Sequence, residues 1–102
     1  LTEREVFLRD LEWLTSCDAL VAEASGSTIG VGFELGYVLA RAPQSGQRVY
    51  LLYDAARRHA ISRLIAGNVD PHCATCGYGS LDEVACFIDH YFGNGGPDGS
   101  PG

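Results

Sequence analysis

The spacing of apolar positions changes several times along the chain, and each change marks an element. Thr2-x-x-Glu5 is a capping box, in which a hydroxyl and a carboxylate satisfy each other's backbone N–H groups and open a helix. Val6, Leu8, Leu11, Trp13 and Leu14 supply most of one apolar face, so this helix is expected to run to about Ser16. Asp18-Ala-Leu-Val-Ala-Glu23 is a short apolar run, the pattern of a buried strand. Ser25-Gly-Ser-Thr28 is the loop after it. A second helix is expected from about Gly30 to Ala42, broken by Pro43-Gln-Ser-Gly46. Arg48-Val-Tyr-Leu-Leu-Tyr53 reads as a second strand. Asp54 can cap a third helix from about Ala55 to Ala66, with Ile61, Leu64 and Ile65 facing inwards and Gly67-Asn68 at its end. Residues 69–79 read as irregular, with a short strand near Cys76–Tyr78. Ser80-x-x-Glu83 is a second capping box and starts a last helix reaching about Phe92. Gly93 to Gly102 is nearly all Gly, Pro and Ser, and reads as a disordered tail.

Strands alternating with helices imply an α/β fold: a parallel sheet with helices on both faces, flavodoxin- or Rossmann-like, in one domain over residues 1–92. A parallel sheet whose pattern opens with a helix is expected to lack its first strand. Leu1 lies inside a helical pattern, which reads as a fragment or a processed form. Ligands of such sheets sit beyond the carboxyl ends of the strands. The loop Glu23–Gly32 leaves a strand at that end.

Charge and cysteines narrow the choice. The net charge of −6 argues against a nucleic-acid polymer as partner, because neutralising a phosphate backbone needs a basic surface. One small phosphate remains compatible, since a helix end and a few hydroxyls can hold it. All seven basic residues are Arg, which removes Schiff-base chemistry through lysine. No apolar run approaches 18 residues and nothing resembles a signal peptide, so no membrane partner is expected. The default reading is soluble and cytoplasmic, with a nuclear share left open. Cys73-Ala-Thr-Cys76 has zinc-ligand spacing and His72 beside it, but no second pair completes a site. It falls in a Pro/Gly loop rather than at a helix start, which also disfavours a redox role; free thiols are the plainer reading. Cys17 and Cys86 sit in apolar patterns and read as small core residues.

Thr28-Ile-Gly-Val-Gly-Phe-Glu-Leu-Gly36 concentrates the candidate chemistry. It places Glu34 about one helical turn past a glycine-rich turn. The first N–H groups of a helix lack intrahelical partners and lie at the positive end of its dipole, so the turn is an anion site. A carboxylate beside it is held ionised, which suits a nucleophile or a base. Gly30 and Gly32 let a ligand approach the backbone. An ordinary Glu on a helix surface fits the same spacing equally well.

The segment Asp10-Leu-Glu-Trp-Leu14 … Asp18-Ala-Leu-Val-Ala-Glu23 … Gly30-Val-Gly-Phe-Glu-Leu-Gly36 closely resembles the 2-deoxynucleoside 5-phosphate N-hydrolases, the Rcl-type branch of the nucleoside 2-deoxyribosyltransferase superfamily. The resemblance runs from about Val6 to Phe92 and is most specific across Asp10–Gly36. It implies cleavage of the N-glycosidic bond of deoxynucleoside monophosphates to a free base and 2-deoxyribose 5-phosphate, without a cofactor, in a homodimer with sites near the subunit interface. Glu34 matches the family's nucleophile, and Asp10 the carboxylate that works with it at the sugar and base. Thr28 falls where the hydrolases carry a phosphate-binding Ser and the transferases an Asp. A hydroxyl donates to phosphate and a carboxylate repels it, so Thr28 points to a nucleotide substrate. Gly30 and Gly32 would offer N–H groups to that phosphate, and Ser62 matches a Ser that reaches it from the neighbouring subunit. The family also has a first strand, a Gly-Ser-Ile-Arg-Gly-Gly-like loop and a Tyr that helps hold the nucleophile. None of these has a counterpart before Leu1, so the resemblance implies that this chain holds part of the active site.

The remaining polar residues have plainer readings. Asp10 could be a solvated helix residue facing Arg9, and Thr28 an ordinary cap. Glu23 could do no more than hydrogen-bond the neighbouring loop, and Asp18 and Glu12 read as surface. Arg57, Arg58 and Arg63 form an electrostatic funnel or, more simply, a solvated face. His59, His72 and His90 show no ligand spacing. Trp13, Phe33 and Tyr37 read mainly as core, with Phe33 or Trp13 available to stack on a base. Two other functions stay open: a nucleoside 2-deoxyribosyltransferase, and a non-catalytic fragment that binds nucleotides or dimerises.

Overall fold

The computed structural model describes residues 1–26 and 29–93. Thr28 and all of the tail beyond Gly93 lie outside the described residues. The element order is α1 (Glu3–Ser16), β1 (Ala19–Glu23), α2 (Ile29–Ser45), β2 (Arg48–Asp54), a 3-10 helix (Ala55–Ala60), α3 (Arg63–Ala66), β3 (Cys73–Tyr78) and α4 (Leu81–Phe92). The three strands pair in parallel in the order β1-β2-β3, with Ala19 opposite Arg48 and Val49 opposite Cys73. The fold is therefore α/β with a parallel sheet, as the alternation of patterns requires.

Side-chain period assigns the two faces of the sheet. Val49 and Leu51 of β2 pack with Leu14 of α1, and with Leu35 and Val38 of α2. Tyr50, one residue out of phase, meets Phe87, Tyr91 and Phe92 of α4, with ring centroids 4.7–6.4 Å apart. Helices thus cover both faces, and β2 lies between them almost wholly buried. Leu51 is fully enclosed. Leu51→Ala removes buried methyl groups and leaves a void, so it should lower stability by about 2–4 kcal/mol. A urea melt reads this directly, and an unchanged midpoint would contradict the packing.

Local physics explains most boundaries. Both halves of the Thr2–Glu5 capping box form, at 2.7 and 3.1 Å. At Ser80 only half of the second box forms. The Ser80 hydroxyl accepts from Glu83 N–H, while the Glu83 carboxylate turns to the N–H of Gly79. The end of α1 is held from a distance. Its last turn has no basic residue, and buried Gln47 donates its amide to the carbonyls of Leu14 and Cys17 at 2.6 and 2.9 Å. Orphaned helix-end carbonyls need such partners, and this one ties α1 to the start of β2. Gly77 is required by close approach: a Cβ there would come within 2.8 Å of the Tyr53 ring.

Several expectations are corrected. Helix α2 continues through Pro43 to Ser45, because a proline in the last turn removes only one intrahelical bond; Gly46, at φ 76°, ends it. The single helix expected over 55–66 is two pieces. Asp54 caps the first at Ala56 and Ser62 caps the second at Leu64, with Ile61 extended between them. Ile61 is buried, but Leu64 faces outwards and is 88% exposed. β3 is longer than expected and includes the Cys73–Cys76 pair, so that pair is not in a loop. Residues three apart in a strand point to opposite faces. Cys73 packs against the Val49 core and Cys76 faces α4, which prevents both from ligating one ion. β1 is an edge strand and only half-buried, with Val21 exposed. Leu8, Trp13, Phe33 and Cys86 are exposed rather than core, because α1, α2 and α4 each lay a narrow face on a small sheet.

Candidate active site

Two facing stripes build the candidate site. On α1, Phe7, Asp10, Leu11 and Leu14 recur at helical spacing; on α2, Gly30, Phe33 and Glu34 do the same, and these seven residues line one narrow cleft of about 160 Å³. Asp10 and Glu34 also line the adjoining wider cleft of about 470 Å³, with Arg9, Trp13 and Leu20. The two carboxylates therefore share one side of the molecule, between α1 and α2. Asp10 accepts from Arg9 Nε at 3.2 Å, and the Arg9 guanidinium lies 4.7 Å from the centre of the Trp13 ring. Phe7, Phe33 and Tyr37 form an aromatic row beside them, with centroids 6.3 and 5.9 Å apart. The ring of Trp13, 60% exposed, is left available at the cleft.

Gly30 and Gly32 stand in the first turn of α2 on different flanks. Gly30 is on the Glu34 side, and Gly32 lines a cleft of about 430 Å³ with Ile29, Leu35, Leu64, Ile65 and Ser62. Ser62 is thus on the opposite flank of α2 from Asp10 and Glu34. Its hydroxyl accepts from Leu64 N–H at 3.3 Å. A larger cleft, about 650 Å³, lies between Arg58, His59 and Arg63, away from either carboxylate. Arg58 there donates to Tyr53 Oη at 2.7 Å. Among the described residues, no group of three or more His, Cys, Asp or Glu is arranged to hold a metal ion.

Sequence reasoning missed a polar cluster at the carboxyl edge of the sheet. Glu23, at the end of β1, accepts from the N–H of Ser25 at 2.9 Å, from the Ser25 hydroxyl, and from Tyr78 Oη at 2.7 Å. Ser25 Oγ in turn accepts from Asp54 N–H at 2.7 Å. Partial burial would push the Glu23 carboxyl up. The hydrogen bonds from Ser25 and Tyr78, with the charge of Arg57, outweigh this and hold it below the ordinary Glu value. Tyr78 is raised, chiefly because its hydroxyl donates to Glu23. With the folded value below the unfolded one, the cluster adds stability above the ordinary Glu range and loses it as pH falls through the lowered value. The only sequence signal was the strand end at Glu23; Tyr78 lies 55 residues away.

No protein-family model matches the chain. It is 39% identical over 89 residues to a protein of Thermofilum pendens provisionally named 2'-deoxynucleoside 5'-phosphate N-hydrolase 1, covering 87% of this chain and 59% of that protein. It is 32% identical to the human 5-hydroxymethyl-dUMP N-hydrolase, over 88% of this chain and 49% of that protein. The zebrafish protein of the same name (Danio rerio) is also 32% identical, over 88% of this chain and 60% of its own length. The chain thus spans about half to three-fifths of the curated relatives it matches. Over that span, it belongs to the family of 2'-deoxynucleoside 5'-phosphate N-hydrolases.

Proposed function

We propose that this chain supplies the two catalytic carboxylates for hydrolysis of the N-glycosidic bond of 2'-deoxynucleoside 5'-monophosphates, releasing a free base and 2-deoxyribose 5-phosphate. The observation that carries the proposal is that Asp10 and Glu34 line one pair of adjoining clefts. The names of the relatives supply the substrate class. The glycosidic carbon passes through an oxocarbenium-like state. The Glu34 carboxylate closes on C1' as the C–N bond breaks and forms a glycosyl ester. Asp10 delivers the proton that the departing base needs. Water then attacks C1', gives its proton to the Asp10 carboxylate, displaces the Glu34 carboxylate and releases the sugar phosphate. The exposed Trp13 ring lies where it can stack on the base.

At the other end of the substrate, Thr28 and the N–H groups at Gly30 and Gly32 hold the phosphate. The chain's overall negative charge makes local donors necessary. Ser62 completes this subsite from a second subunit. Within one chain it opens onto the far flank of α2, rimmed by the exposed side chains of Ile29 and Leu64. An apolar rim around a hydroxyl suits a two-fold interface, where each subunit gives the other the same patch. Base release from a deoxynucleoside monophosphate, followed with the full-length protein, tests the reaction as a whole.

Ser62→Ala should weaken phosphate-bearing ligands by about 1–2 kcal/mol, the order of one hydrogen bond to a charged group, and leave nucleosides unaffected. Ser62 also caps α3, so Ser62→Gly, which costs a cap only a few tenths of a kcal/mol, separates the two roles. A strictly monomeric full-length protein with normal nucleotide hydrolysis would show that the site is not shared.

A further inference from the structure

The Glu23 cluster joins the carboxyl ends of the three strands among the described residues. Glu23 closes β1, Asp54 closes β2, and Tyr78 closes β3 directly opposite Asp54 in register. Strands two places apart lie about 9–10 Å from each other, so Tyr78 spans β2 to reach Glu23. Ser25 is the hub. Its hydroxyl donates to Glu23 and accepts from Asp54 N–H, and its own N–H donates to Glu23. Ala24 extends the ladder one step further, donating to Leu52 C=O at 2.7 Å. The first two residues after β1 are therefore tied to β2, and through Glu23 to β3.

We infer that Glu23, braced by Tyr78 and acting through Ser25, is a positioning residue that fixes the backbone leaving β1 at Ala24 and Ser25 and thereby the phosphate end of the substrate site. The inference rests on the function proposed above. It adds residues that would touch neither the sugar nor the base. In sequence, Ser25 stands five residues ahead of Gly30, and the N–H groups of Gly30 and Gly32 bind the phosphate only if the backbone is held in place before the ligand arrives. A carboxylate suits the hub because it accepts three donors at once, which an amide cannot match. Being exposed at its outer edge, the cluster contributes more to the placement of that backbone than to the core.

The test uses the full-length protein with Tyr78→Phe, Glu23→Gln and the double variant. Tyr78→Phe removes one hydroxyl from a half-buried ring and retains the fold, which a melting temperature near wild type verifies. It should raise KM for a deoxynucleoside monophosphate about fivefold and leave kcat within about twofold, since uniform binding is lost and the reacting carboxylates are untouched. Glu23→Gln should raise KM by about tenfold or more, and adding Tyr78→Phe to it should cost less than about twofold, because both act through one contact. Hydrogen exchange at the Ser25 and Asp54 amides should quicken in the Glu23→Gln protein, independently of any substrate. Wild-type KM in both single variants, or multiplicative effects in the double variant, would overturn the inference while the hydrolase reading stands. A wild-type protein that releases no base and is not inhibited by 2-deoxyribose 5-phosphate would refute the hydrolase reading, and the inference with it.

Discussion

Glu34→Ala is expected to abolish base release while nucleotide still binds. The carboxylate of Glu34 lines the same clefts as Asp10, at the first turns of α2. Its proposed work is to meet positive charge that exists at C1' only as the C–N bond breaks. An interaction made only in the transition state lowers kcat when it is removed and leaves ground-state binding nearly intact. The fall in kcat should reach at least about a thousandfold, with affinity for the monophosphate kept within about tenfold. Binding can gain slightly, because the substrate phosphate no longer shares its neighbourhood with a second negative charge. Calorimetric titration and a base-release assay on the same preparation give both numbers. Residual activity above a few per cent of wild type would remove Glu34 from the nucleophile's role and leave Asp10 as the remaining candidate.

Much of the fold is legible in the sequence because its signals are local. The Thr2–Glu5 box and the Ser80 start use contacts within four residues, the Arg48–Tyr53 run shows in its unbroken apolar stretch, and all three elements form where their patterns place them. The misses come from contacts that pattern cannot carry. Ser62 is a cap signal of its own, and with Asp54 it leaves a stretch too short for one regular helix, so the chain takes a 3-10 turn and restarts. Cys73–Tyr78 includes Ala74 and Gly77, which are poor strand formers, and is drawn into the sheet by pairing with β2. The exposed rings of Trp13 and Phe33 show that helical spacing alone does not fix how wide a face the sheet can cover.

The candidate pair Asp10 and Glu34 comes from the family resemblance rather than from spacing. The structure adds that Phe7, Asp10, Leu11 and Leu14 repeat at the spacing that faces Gly30, Phe33 and Glu34, so two helices on one sheet face line one cleft with both carboxylates. Gln47 and Tyr78 were not legible. Each acts on an element far away in sequence, one on the end of α1 and one on the end of β1, and a single polar residue in a strand-like segment leaves no periodic trace.

The second large effect concerns what the site refuses. The 5'-phosphate is expected to raise kcat/KM by at least about a hundredfold over the same deoxynucleoside without it. Two hydrogen bonds from N–H or hydroxyl donors to a phosphate, each about 1.5–3 kcal/mol, are enough to supply this factor. The sequence reading assigns one of these donors to Thr28 and the others to the turn ahead of Glu34. Thr28→Asp makes the test sharp, because it puts a carboxylate where the hydroxyl is proposed to donate. Two like charges that close repel, so hydrolysis of the monophosphate should fall by about a hundredfold or more, while the unphosphorylated deoxynucleoside gains relative to it. The same variant separates the two enzyme readings. If a second free base, added in excess, then captures the deoxyribosyl group, the site has moved toward transfer. In the unaltered protein water alone should capture it. Equal rates with and without the phosphate in the unaltered protein would refute the phosphate subsite, and would return Thr28 to the role of a helix cap.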